Sequence, residues 1–189
     1  MSPLPASIAD DFLERVNDLM TNAAQPSQFD MARLDMDIRN ISNIDVALSQ
    51  CFRGIYHALQ GDLANTTKWF NMALSVNLGN PDIYMNYAAS LCRLGQHEQA
   101  IKMALEAINK GNYTAQAIHN LLLSAYYADA HDVLDEWLPK YHKLTGNPHA
   151  IVTWLQEDAE DEAEIAQLRD EIRSGPYTSL DKIRKELGL

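Results

Sequence analysis

The chain of 189 residues is long enough for one domain with a real core, and its 47% hydrophobic and 22% charged residues read as folded rather than disordered. Fifteen basic residues against twenty-six acidic leave a net charge of −11, which argues against nucleic-acid binding, because neutralising phosphates takes clustered Lys and Arg. No apolar run approaches the roughly 18 residues of a membrane span, so no membrane insertion is expected; the start, MSPLPASIADDFLERV, lacks the charged and apolar regions of a secretory leader, which points to the cytoplasm.

In chain order, residues 5–24 read as one helix. Ile8, Phe12, Val16 and Leu19 recur at helical spacing, Ser7 can cap the start and Pro26 ends the run. The middle of the chain then repeats. Gly61 and Gly95 lie 34 residues apart, and aligning them brings 47–80 and 81–114 into register. Ala73 then matches Ala107, Leu74 matches Ile108, Gly54 matches Ala88, and Asn80-Pro81 closes the first unit. Each unit predicts two antiparallel helices, with small residues at the close approach and Gly61 or Gly95 in the turn, where a positive φ is cheap for glycine. One such pair cannot bury its apolar face alone, so neighbours must stack.

The same register extends weakly in both directions. Residues 13–46 keep Leu19 and Ala32, with Pro26-Ser27 near the turn. Residues 115–148 keep Leu121 and Leu122, but the turn is Asp129, Leu134 stands where Ala is usual, and Pro139 is expected to kink or shorten the second helix. Asn147-Pro148 ends that unit. The stretch 149–156, with Ile151, Val152, Trp154 and Leu155, predicts a helix closing the last repeat. EDAEDEAE at 157–164 carries six acids in eight positions, either a lure for a basic partner or a solvated face, on a helix running to Arg173. Arg169 and Arg173 suit its C-terminal dipole, and Ile165, Leu168 and Ile172 form a narrow apolar stripe that needs a partner, either the repeats or a second copy in a homodimer. Ser174-Gly175-Pro176 is a stop, and Thr178 with Asp181 caps a short helix, Leu180–Leu187, before Gly188.

The unit PDIYMNYAASLCRLGQHEQAIKMALEAINKGN resembles the tetratricopeptide (TPR) repeat: Tyr84, Tyr87, Ala88, Gly95, Ala100 and Ala107 stand where that family places large, large, small, Gly, Ala and Ala. The preceding unit matches at Gly54, Gly61, Phe70 and Ala73 and departs at Arg53 and Thr66. The expected fold is all-α, a TPR-like α-solenoid of antiparallel helix pairs with a C-terminal helical extension. Its parts are 1–46, N-terminal helices readable as a degenerate repeat; 47–148, the repeats 47–80, 81–114 and degenerate 115–148; and 149–189, a capping helix, an acidic helix and a short last helix.

The resemblance implies a concave face, lined by the first helix of each unit, that holds a peptide or partner helix. The lining positions are Leu48, Cys51, Phe52, Ile55 and Leu59; then Asp82, Met85, Asn86, Ala89 and Arg93; then Gln116, His119, Asn120, Leu123, Tyr126 and Tyr127. One TPR subclass clamps acidic chaperone tails with Lys, Arg and Asn. Asn86 and Asn120 fit it, but Cys51, Ile55 and Gln116 occupy the basic positions, so an apolar or mixed peptide is expected instead. Small size, acidity and repeat number are similar to the type III secretion class II chaperones. The tail LRDEIRSGPYTSLDKIRKELGL resembles those of some small bacterial antitoxins that wrap a toxin.

No catalytic pattern is present: no P-loop, GxGxxG, GxSxG or HExxH. No two of the six histidines form an i, i+4 pair, and Cys51 and Cys92 lack metal-ligand spacing, so no metal or cofactor is expected and the two thiols read as reduced and mostly buried. The expectation is a non-enzymatic adaptor or chaperone; an antitoxin acting through the tail and a homo-oligomeric assembly protein are the alternatives.

Overall fold

A computed structural model of the chain describes residues 5–21 and 26–174, with side chains placed for 8–19 and 26–167. Every regular element among the described residues is an α-helix. In order these are α1 (Pro5–Thr21), α2 (Gln28–Ser42), α3 (Val46–Leu59), α4 (Leu63–Val76), α5 (Pro81–Arg93), α6 (His97–Asn109), α7 (Ala115–Tyr127), α8 (His131–Thr145) and α9 (Ile151–Ser174). The fold is all-α. It divides into two compact units, Met1–Pro148 with α1–α8 and His149–Leu189 with α9. The short last helix expected at Leu180–Leu187, with its Thr178 and Asp181 cap, lies outside the described residues.

Local chemistry sets the helix boundaries. Ser27 and Asp30 form a reciprocal capping box on α2, and the carboxylates of Asp45 and Asp62 accept from the Leu48 and Asn65 amides at 2.9 and 3.0 Å. Asn80 caps α5 with Pro81 in its first turn, and Thr114 caps α7. The hairpins α3–α4, α5–α6 and α7–α8 each turn through three residues, 60–62, 94–96 and 128–130. The middle of each turn is left-handed: Gly61 at φ 78°, Gly95 at φ 71° and Asp129 at φ 56°. These three lie 34 residues apart, so the repeat seen in the sequence is a repeat of backbone conformation. The third turn keeps the conformation without glycine; Asp is among the few side chains that tolerate it.

Packing follows the small residues. A Cβ on Gly54 would sit 2.5 Å from Cδ2 of Phe70, so α3 and α4 approach at the only residue without a side chain to obstruct the ring. Phe70 then stacks on Tyr87 of the next hairpin, centroids 4.6 Å apart. Ala73, Ala88, Ala100 and Ala107 are fully buried. Helices α3, α5 and α7 pack successively in one layer, and α4 and α6 reach the first helix of the following hairpin.

Three expectations need correction. Pro139 does not shorten helix α8, which continues to Thr145 and ends at Gly146 with a left-handed φ of 76°. Asp135, whose carbonyl loses a donor to the proline, is exposed, so water can replace the missing bond. The helix expected at 149–156 and the acidic helix after it are one 24-residue helix, α9, because 151–174 contains no Gly or Pro and is rich in strong helix formers. Finally Pro5–Thr21 is helical, which places Ser7 inside α1 rather than at its cap; residues 22–24 of the expected helix lie outside the described residues.

The N-terminal hairpin is only half in register. Shifted by 34, α2 falls on 62–76 and coincides with α4. The same shift carries α1 to 39–55, whereas α3 spans Val46–Leu59.

Candidate functional site

The sequence-predicted site residues separate into two groups. Phe52, Ile55 and Leu59 on α3, expected to line an open face, are core: they are 0%, 6% and 3% exposed. Cys51 is 1% exposed. The cover is α1. Phe12 stacks on Phe52 with centroids 4.0 Å apart and planes 6° from parallel, and Phe12 and Val16 are themselves buried. This corrects the expectation for α3, and the reason is that a lining position is exposed only if no other segment of the chain packs on it.

The second group, on α5 and α7, is accessible. Met85, Asn86, His119, Asn120, Leu123 and Tyr126 are half-buried, while Arg93 and Tyr127 are exposed. Register places them on neighbouring helices of one layer. The amide of Asn86 reaches back to Cys51 Sγ at 3.8 Å, and the Gln116 side-chain amide donates to Oδ1 of Asn120 at 3.2 Å. Asn112, 8% exposed, donates to Asp82 at 2.9 Å and lies 3.3 Å from Met85 Sδ, and it accepts from Thr114 at 2.8 Å. That network fixes the α6–α7 connection beneath the start of the face. At the other end Tyr126 and Tyr127 meet edge-on at 5.5 Å, and Tyr127 stacks on His97 of α6 at 5.1 Å.

The electrostatics are mild. Partial burial lowers the pKa of His119, which favours the neutral imidazole that can both donate and accept. Burial pushes the Cys51 thiol up to about 12, and Cys92 is raised for the same reason. Low thiolate content makes neither a good nucleophile. Among the described residues no group of three or more His, Cys, Asp or Glu side chains is gathered as a metal centre requires, and no helix is long and apolar enough to cross a membrane. The surface that results suits contact recognition: apolar area, side-chain amides and two tyrosines.

Sequence reasoning missed the participants contributed by other elements. Leu13 and Val16 of α1 border a cavity of about 70 Å³ with Ile55 of α3 and Asn86 and Ala89 of α5. The spacing of α1 marked an apolar stripe but not what it covers. His97 and Asn112 carry no motif, since their roles arise from contacts with α7 and α5.

No family model matches this chain. An uncharacterized protein of Haemophilus influenzae is similar to it, 30% identical over 93 residues. The match covers 48% of this chain and 52% of the relative, so the chain spans about half the relative's length.

In the second unit, Gln156–Gln167 of α9 are all exposed, acids included. Ile165 is 49% exposed; the side chains of Leu168, Arg169, Ile172 and Arg173, the rest of the expected stripe and basic end, lie outside the described set.

Proposed function

We propose that this chain is a non-enzymatic, TPR-type adaptor or chaperone that holds an apolar or mixed partner polypeptide on the α5–α7 face. The observation that carries the reading is the accessible set Met85, Asn86, Arg93, His119, Asn120, Leu123, Tyr126 and Tyr127 on two adjacent helices. Methionine adapts to varied side chains, tyrosine contributes large contact area at low entropy cost, and amides can bond an extended backbone. A cytoplasmic setting belongs to the same reading, which the two free thiols suit.

The test is selection of peptides from a displayed library against the full chain. Peptides so obtained should lose about tenfold in affinity, roughly 1.4 kcal/mol, to a Tyr126→Ala, Tyr127→Ala variant and to Asn86→Ala, Asn120→Ala, with unchanged circular dichroism. Peptides that bind these variants as well as wild type would remove the α5–α7 face from the proposal.

A second reading draws on the exposed acids of α9, which offer a basic partner an uncovered negative surface. Under it, deletion of 157–189 abolishes partner neutralisation; under the first, partner binding survives the deletion.

A further inference from the structure

We infer that α1 is a displaceable resident of a helix-binding groove, and that the incoming occupant is a partner's amphipathic helix bearing an aromatic residue, a basic residue three positions later and an aliphatic residue one beyond that. This rests on the reading of the chain as a polypeptide-binding module and names the partner's chemistry. Three observations carry it.

The first is recognition. Phe12 fills the surface over Phe52, and Val16 is buried one turn on, so the groove takes a helix by aromatic and aliphatic anchors at i and i+4. Between them on the helix, Arg15 Nη2 lies 2.6 Å from Asp37 Oδ2 of α2, whose side chain is 8% exposed. A buried carboxylate needs a cation, so any helix that replaces α1 must bring one. A basic helix is also what a chain of net charge −11 attracts.

The second is imperfect fit. Nε of Arg15 is buried with no hydrogen-bond partner. Beside Leu13 and Val16 the groove retains a partly open cavity of about 70 Å³ that the resident helix does not fill. A helix with a longer aliphatic side chain there, or a better-placed cation, recovers what the resident leaves unused.

The third is register. α1 stands outside the 34-residue period that α2 keeps, so the packing that recurs from hairpin to hairpin does not extend to it.

The probe is a fluorescein-labelled peptide of residues 5–21, which carries the stated pattern, titrated with the full-length protein and read by anisotropy. The expected result is saturable binding, about tenfold weaker for a Phe12→Ala peptide and about tenfold tighter to an Arg15→Ala protein, whose own α1 has lost its cation. Hydrogen exchange on the wild-type protein serves if Arg15→Ala does not fold: added peptide should strip protection from α1 amides and leave α3 protected. No saturable binding, equal binding of the Phe12→Ala peptide, or unchanged α1 protection would overturn the inference. Tyr126 and Tyr127 do not border this groove, so the Tyr126→Ala, Tyr127→Ala protein should bind the probe as wild type does. Library peptides can thus fail on α5–α7 while the probe still binds, which separates the two readings. A dimer formed by exchange of α1 between copies, seen by light scattering, would make the occupant a second copy and overturn the choice of a foreign helix.

Discussion

Phe12 of α1 and Phe52 of α3 stack ring on ring at 4.0 Å, both without solvent exposure. That contact converts the apolar face of α3 from a lining into core. It also makes the two phenylalanines unequal. Phe52→Ala leaves a void inside the repeats and should cost about 3–5 kcal/mol in a denaturant titration. Phe12→Ala should cost less, because the loss is capped by the free energy at which α1 undocks, and α1 amides should lose hydrogen-exchange protection ahead of the rest.

Gly54 should tolerate no side chain. Alanine improves helix propensity by roughly 1 kcal/mol, but its Cβ would lie 2.5 Å from a Phe70 ring that is itself stacked on Tyr87. Overpacking of this kind typically costs about 1–3 kcal/mol, so Gly54→Ala should be a net loss. Pairing it with Phe70→Leu should restore part of that loss, a non-additivity that a double-mutant cycle of melting curves would expose.

Asp129 holds a left-handed turn that glycine holds in the two preceding hairpins. Its contact with His131 joins two largely exposed side chains and contributes little. Asp tolerates the left-handed region better than most side chains, so its cost lies at or below the low end of about 1–2 kcal/mol and is largely offset by the greater chain entropy of glycine, about 0.5–1 kcal/mol. Asp129→Gly should therefore shift the melting temperature little, whereas the β-branched Asp129→Val should lower it.

Stability should fall as pH drops through the histidine range. Burial holds the His119 pKa below its ordinary value near 6.5, so between the two values the unfolded chain binds more protons than the folded one. The contribution is complete above about pH 7 and is lost as His119 is forced to charge in the fold. His119→Gln should flatten this part of a stability–pH profile. The N-terminal caps respond at lower pH: Asp30 and Asp62 are held below the usual carboxylate range by their hydrogen bonds to Ser27 and Asn65, and their share is lost only as pH falls past about 4.

Thiol labelling should distinguish the cysteines. Cys51, fully buried with its pKa near 12, should resist a disulfide reagent at pH 8 until denaturant is added. Cys92, only partly buried, should react slowly in the native protein, and Cys51→Ser should leave that native rate unchanged.

The legible part of this protein is what neighbouring residues decide among themselves. The spacing of Gly61 and Gly95 located two left-handed turns and placed a third turn at Asp129; the caps Ser27, Asp45 and Thr114, equally local, are set by hydrogen bonds that the structure shows. Two local signals misled. Pro139 reads as shortening its helix, yet the Asp135 carbonyl it leaves without a donor is exposed to water; the acids of 157–164 read as a separate element, yet nothing between Ile151 and Ser174 interrupts a helix.

From the sequence alone, then, came the all-helical class, the 34-residue period and the turn positions, since backbone preferences and apolar spacing act over a few residues. Only the tertiary structure decided which of the predicted lining residues face solvent. Phe52, Ile55 and Leu59 have the same helical spacing whether or not α1 lies over them; coverage depends on which distant segment completes the packing, and no pattern within α3 carries that information.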